Sequence, residues 1–375
     1  MGREEWLALG RPLADGWLTQ GPRVKEFEAA FAARHQVARA LGVSSCTTAL
    51  HLALAALGLA PGDRVIVPSF TWVATANAVE YCGARPVFCD SGLDGYNIDP
   101  EGFRRTAARL AAEKTPAVAA IVVHLFGLTA DMEPIMAVAR EYGLKIIEDA
   151  ACASGAGYRG RPAGGLADVG CFSFHPRKII TTGEGGMCTT DNEALAARMA
   201  CLRSHGAGWS EERRHLADQP YLMSDFDELG YNYRLTDLQG ALGLVQLARL
   251  DGFIAERRSW ALWYQRELAG LVWLKTPSAP EGFEHSWQSF VTFVRPGLAP
   301  AGRDEIMARL HQGGVGCRAG THAIHQLGYY RRKYGLKEAD FPNAALLAAQ
   351  TLALPLHNQM TPNDYQRVVD ALKSL

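Results

Sequence analysis

The sequence predicts an α/β protein: a large N-terminal unit with a mostly parallel sheet, followed by a smaller C-terminal α+β unit. Three observations predict it. Apolar runs of strand length alternate with amphipathic segments of helical period over the first two-thirds of the chain. Those runs, such as Ala117-Val-Ala-Ala-Ile-Val-Val, are continuously apolar, as strands covered on both faces are. After Thr236 the alternation gives way to a long helical stretch and then to shorter elements. A chain of 375 residues is long enough for two domains, and the change of pattern divides it into 1–250 and 251–375.

The elements follow in order. Residues 24–35 have helical period, and 39–44 read as a strand that opens onto a helix over 48–57. A short buried strand is predicted at 64–68, a helix at 75–81 and a strand at 85–90. Strand 118–124, helix 132–142 and strand 144–148 continue the alternation. The helical stretch spans 236–268; then come a strand at 287–294, a helix at 303–311, a short strand at 315–318 and a terminal helix at 362–372. Ser69, His124 and Asp149 fall just after predicted strands, where ligands of open α/β sheets sit, so each is a site candidate by position.

Composition narrows the function. Charge is balanced, with 38 basic and 39 acidic residues, and no basic stripe points to nucleic acid or an anionic membrane. The longest apolar runs are far too short to span a bilayer. The first residues carry charges and no apolar core, so no secretion signal is expected. The eight cysteines contain no CxxC pair and no Cys/His cluster of zinc spacing. Free thiols in a reducing cytoplasm are expected, and no metal.

The chemistry concentrates in Cys171-Phe-Ser-Phe-His-Pro-Arg-Lys178-Ile-Ile-Thr-Thr-Gly-Glu-Gly-Gly186. A lysine follows an apolar run and precedes a Gly-rich turn. Desolvation there is expected to pull its pKa down and free a nucleophilic amine. The hydroxyls of Ser173, Thr181 and Thr182 and the bare backbone of Gly183, Gly185 and Gly186 suit a phosphate and a flat ring. This reads as a pyridoxal phosphate lysine, although a lone Lys beside glycines is also an ordinary surface residue at a turn.

Asp149 ends a predicted strand, where a carboxylate can face a pyridine nitrogen and keep it protonated. A turn cap is the alternative. Trp72 offers a flat platform for a ring, or core packing. Ser45-Cys46-Thr47-Thr48 opens a helix, whose N-terminus suits phosphate or is a plain cap.

Together these segments carry a resemblance. They are Gly16-Trp-Leu-Thr-Gln-Gly-Pro-Arg-Val, Ser44-Ser-Cys-Thr-Thr-Ala-Leu-His-Leu-Ala-Leu, Pro68-Ser-Phe-Thr-Trp-Val-Ala-Thr-Ala-Asn and Ile146-Ile-Glu-Asp-Ala-Ala. The lysine segment and Leu229-Gly-Tyr-Asn-Tyr-Arg-Leu-Thr-Asp complete the set. In order and spacing, over nearly the full length, the chain resembles the DegT/DnrJ/EryC1/StrS family of PLP-dependent sugar aminotransferases.

The resemblance implies the fold-type I, aspartate aminotransferase-like architecture, pyridoxal 5'-phosphate as cofactor and a homodimer with shared active sites. It implies that Lys178 holds the cofactor covalently, Asp149 pairs with the ring nitrogen and Trp72 stacks on the ring. Cys46 and Thr47 give backbone N–H groups to the phosphate, Ser173 its hydroxyl, and Asn232 reaches it from the partner subunit. His325 matches a loop bordering the sugar site. One departure is Cys152, where the family often has Gln, His or Glu near the cofactor hydroxyl; a thiol is a weak hydrogen-bond partner there.

The implied reaction moves an amino group from an amino acid, L-glutamate, onto a nucleotide-linked keto-sugar. A cyclitol aminotransferase acting on a keto-inositol shares every cofactor residue and is the alternative. A non-catalytic regulator is disfavoured by the intact set Asp149, Ser173, Lys178 and Asn232. Dehydratases of the family resemble members with His in place of the lysine, so Lys178 argues against that chemistry. No G-x-G-x-x-G follows the first strand, which argues against a dinucleotide fold.

Overall fold

In the computed structural model, which describes residues 1–207 and 225–375, seven strands form one sheet. They are β1 (Arg39–Val43), β2 (Arg64–Pro68), β3 (Arg85–Cys89), β4 (Ala117–Val123), β5 (Lys145–Asp149), β6 (Val169–Ser173) and β7 (Gly186–Thr190). Their order is β3-β2-β4-β5-β6-β7-β1. The pairings of β2 with β3 and β4, of β4 with β5, and of β5 with β6 are parallel. Only β7 runs against its neighbours, β6 and β1.

The continuous apolar strands are explained by two covered faces. In β4, Ala119 and Ile121 join the core under helices Cys46–Ala56, Ala74–Tyr81 and Glu193–Arg203. Ala120 and Val122 join the opposite core, under helices Pro100–Ala112 and Met132–Tyr142. Strand alternation divides the run between two layers. Each fully buried Ile or Val stabilises the sheet by roughly 1.5–3 kcal/mol.

A second sheet contains β8 (Leu274–Lys275), β9 (Phe290–Val294), β10 (Arg318–Ala319) and β11 (Thr351–Leu354), in the order β8-β9-β11-β10. All its pairings are antiparallel, and a separate core around Tyr264, Phe290 and Tyr365 backs it.

Five sequence expectations change; the short strand expected at 315–318 is Arg318–Ala319 instead. The helical stretch over 236–268 is two helices, Asp237–Ala248 and Leu250–Leu268, meeting at Arg249. Near that break Gln246 donates to Glu5 at 2.8 Å and Arg249 pairs with the same carboxylate at 2.5 Å. The strand expected from 287 begins at Phe290, because Trp287 has φ +56° and Ser286 and Ser289 donate their N–H groups to Gly127 and Phe126. Helices Pro100–Ala112 and Glu193–Arg203 were not anticipated; Asp99 and Asn192 cap them. Lastly, the apolar residues on either side of the lysine turn form an antiparallel strand pair, β6 and β7, that the sequence pattern does not predict.

The carboxyl ends of β2, β4, β5 and β6 lie along one edge of the large sheet. The C-terminal part packs on that edge. His322–Ala323 pairs with Phe70–Thr71 just after β2, and Gln288 donates to the Arg177 carbonyl at 2.6 Å. Among the described residues no helix is long and apolar enough to cross a membrane.

Candidate active site

Asp149 is the last residue of β5 and is 5% exposed. Glu148 and Asp149 point to opposite faces, as neighbours on a strand must. Glu148 accepts N–H groups from Gly164, Leu166 and Ala167 at 2.7, 2.7 and 2.9 Å. It also meets His124 Nε2 at 2.9 Å. His124 Nδ1 accepts the Ala130 N–H at 3.1 Å, so the proton sits on Nε2 and is donated to Glu148. His124, a site candidate by position, is therefore a buried brace that pins the loop before β6.

Asp149 looks the other way. Thr75 donates its hydroxyl to Oδ2 at 2.8 Å, and the Ala151 N–H reaches Oδ1 at 3.2 Å. Cys46 Sγ lies 3.9 Å from Oδ1. Among the described residues no cation forms a salt bridge with it. Burial pushes its pKa up, against the lowering effects of Thr75, Ala151, Lys178 and His124. Such a carboxylate lacks a close counter-charge.

Cys46 opens helix Cys46–Ala56. Ser45 caps it by accepting the Thr48 N–H at 3.1 Å, and Thr48 Oγ1 accepts the Ser45 N–H at 3.0 Å. The N–H groups of Cys46 and Thr47 stay unbonded to any described residue. β7 passes beneath this terminus. A Cβ added to Gly186 would lie 2.5 Å from the Ser45 carbonyl carbon and 2.8 Å from Cys46 N. Gly186 pairs in register with Ser173, the last residue of β6. Only glycine lets the strand approach a helix terminus this closely, and Ser173 is the residue paired across from it.

Gly186→Ala should force the backbone at Ser45 and Cys46 aside. Overpacking of this kind costs about 1–3 kcal/mol. Pyridoxal phosphate titrated into the cofactor-free variant should bind about tenfold or more weaker, or about 1.4 kcal/mol. Unchanged affinity would mean that this terminus does not hold the phosphate.

Lys178 lies in the turn after β6, its N–H bonded to the His175 carbonyl at 2.8 Å. Its Nζ donates to Cys152 Sγ at 3.1 Å. The expected depression of its pKa is not found. Burial does pull it down, but Cys152, Cys46 and Asp149 pull it up by more, so the amine is held above the ordinary lysine value. Thr181 and Thr182 are also reassigned. Their hydroxyls donate to the carbonyls of Phe174 and Glu184 at 2.7 and 2.5 Å and fold the loop rather than face a ligand.

Trp72 is 59% exposed, with its ring edge-on to His322 at 5.4 Å. Its carbonyl accepts the Thr75 N–H at 3.2 Å, so one turn carries the indole and the partner of Asp149. Asn232 is exposed and its amide bonds no described residue; its backbone bridges to Ser204. His325 lies inside the fold. It is fully buried, with Nδ1 at 2.6 Å from Ser69 Oγ and its ring against Phe341, so it and Ser69 lock the loop after β2. Sequence reasoning missed Thr75, Ser286 and Gln288. Ser286 donates to the Cys152 carbonyl at 3.4 Å and Gln288 braces Arg177, yet only the Thr75 segment carried any signal.

These residues fit pyridoxal phosphate. A buried carboxylate with no counter-charge suits a protonated pyridine nitrogen. Free N–H groups at a helix terminus, packed on the strand residue that pairs with Ser173, suit the phosphate. The Lys178 amine is half-buried and the Trp72 indole exposed, so both are open to a bound ring.

Comparison with known proteins agrees. The sequence profile of the DegT/DnrJ/EryC1/StrS aminotransferase family matches residues 1–373. The chain is 42% identical over 359 residues to the GDP-perosamine synthase of Caulobacter vibrioides, covering 95% of this chain and 91% of that one. It is 38% identical over 377 residues to the spore coat polysaccharide biosynthesis protein SpsC of Bacillus subtilis, covering 100% and 95%. A structure described as the PLP form of a sugar aminotransferase from Streptococcus pneumoniae superimposes with a TM-score of 0.89 at 26% identity, covering 100% and 96%. The architecture is that of the fold-type I aminotransferases. The chain therefore belongs to the DegT/DnrJ/EryC1/StrS aminotransferase family and is a PLP-dependent sugar transaminase.

Proposed function

We propose that this enzyme transfers an amino group from L-glutamate to a keto-sugar attached to a nucleotide, releasing an aminosugar. The observation that carries this is the cluster of Lys178, Asp149, Ser173 and the free helix terminus at Cys46 on one sheet edge. The printed activity of the Caulobacter relative supports the nucleotide-linked sugar.

When bound, the cofactor supplies an electron sink for the bond broken at the donor Cα. The chain supplies the rest. Asp149 holds the proton on the ring nitrogen, and Thr75 fixes the carboxylate's direction. Cys46 and Thr47 N–H groups and the Ser173 hydroxyl hold the phosphate. Trp72 covers the ring face. Lys178 Nζ would bind the cofactor and, once displaced by the amino group of the donor, would take the proton from the donor Cα and return one on the way to product. Donor and acceptor use one site in turn, so kinetics should be ping-pong. A cytoplasmic setting fits the eight free thiols.

Incubating purified enzyme with L-glutamate and a panel of GDP-, UDP- and dTDP-linked keto-sugars tests this reading. Amination of at least one is expected, read by mass. Amination of a keto-inositol alone would replace it with the cyclitol reading.

Assembly is part of the proposal. Asn232 is exposed beside Leu229 and Phe226, which are 90% and 56% exposed. We assign this surface to a homodimer contact, with Asn232 of the partner subunit donating to the phosphate. Inactive Lys178→Ala mixed with Asn232→Ala under subunit exchange then regains activity, because one site of the mixed dimer is intact. A turn role for Asn232 gives no rescue.

A further inference from the structure

Among the described residues, Cys152 is the thiol hydrogen-bonded to an amine; those of Cys46, Cys89, Cys188 and Cys317 point at oxygen atoms. The 3.1 Å between Lys178 Nζ and Cys152 Sγ is a near-attack separation, which for reacting atoms is about 3–3.5 Å. Both residues are half-buried, open enough for a small oxidant and sheltered enough to hold one geometry. The Cys152 backbone is anchored through its carbonyl by Ser286, and the Lys178 turn is held by Gln288 on the Arg177 carbonyl. The two reacting groups are thus set by the same short segment of the C-terminal part.

We propose that Cys152 and Lys178 close a reversible sulfur–nitrogen bond on exposure to a peroxide, and that this bond shuts the site while no cofactor is attached to the lysine. The effect on the site rests on the role given to Lys178 above; the bond itself does not. Hydrogen peroxide oxidises the thiol by two electrons, giving Cys–S–OH and one water. The lone pair of neutral Nζ then attacks Sγ. The S–O bond breaks, and the departing hydroxide takes a proton from nitrogen and leaves as a second water. One peroxide is consumed and Cys–S–NH–Lys remains. Two equivalents of a thiol reductant reverse the bond, returning thiol and amine and leaving as a disulfide.

The surroundings favour this route. Of the influences that raise the pKa of the Lys178 amine, the contact with Cys152 comes first. Oxidation of the thiol removes that contact, and burial, which lowers the pKa, then weighs more toward the neutral amine that attacks. A competing disulfide would need Cys46, whose thiol is fully buried, pushed well up by burial and by Asp149, and turned to Asp149 and the Cys171 carbonyl. The flexible four-carbon stem of Lys178 can cover the remaining distance to sulfur.

The test uses the full-length chain, once stripped of cofactor and once loaded. Stripped protein treated with hydrogen peroxide should lose about 2 Da, and a peptide map should join the Cys152 and Lys178 peptides. Loaded enzyme should show no bridge. Pyridoxal phosphate uptake by the bridged protein should fall about tenfold or more and return with dithiothreitol. Cys152→Ser should form no bridge, and its uptake should ignore peroxide. A Cys46–Cys152 disulfide, an oxygenated Cys152 with a free Lys178 peptide, or no change of mass overturns the proposal. A bridge that leaves uptake intact overturns the switch and points instead to a failure of the Lys178 assignment.

Discussion

Lys178→Ala should abolish transamination, with turnover falling by at least about 10²–10⁴-fold, the range expected for loss of a positioned acid–base group. The loss should exceed that range, since the same Nζ is also proposed to bind the cofactor. No described residue places a second lysine amine against Cys152 or Asp149 to replace it. Borohydride should fix pyridoxal phosphate to the Lys178 peptide of the parent and to no peptide of the variant. Peptide mapping after reduction, run beside turnover with L-glutamate, reads both effects. A variant that turns over within a few-fold of the parent would remove Lys178 from the chemistry and leave it a turn residue.

Asp149→Asn should lower turnover by about 10²–10³-fold, the scale on which one preorganised electrostatic partner acts. The shape is kept and the negative charge is lost, so nothing holds the proton on the ring nitrogen. Cofactor affinity should change far less than turnover, because the phosphate contacts proposed for Cys46, Thr47 and Ser173 are separate groups. The folded state without cofactor should not be weakened, since burial already disfavours the charge on Asp149. Turnover, cofactor titration and melting of the stripped protein separate these effects. Loss of folding with turnover would make Asp149 structural.

Much of the molecule was legible in the sequence because its signals are short-range. The apolar runs that became β2 to β5 and the capped start at Ser45 depend on neighbours a few residues away. The segment around Lys178, with its preceding apolar run and following glycines, also declared itself locally. The reversed direction of β7 did not, since the β6–β7 connection is read only from the pairing of Gly186 with Ser173.

The sequence by itself determined the α/β class, the positions of the parallel strands β2 to β5 and the residue types of the site. The tertiary structure alone decided what those residues meet. Thr75 and Asp149 are 74 residues apart, and Cys46 and Asp149 are 103 apart, so only the order β2-β4-β5-β6 brings them together. The same order turned His124 into a brace for Glu148, buried His325 on Ser69 and set Lys178 on Cys152. Periodicity and capping fix the faces of each element. Which faces touch is settled by packing, where burial, close backbone approach and satisfied polar groups must hold at once.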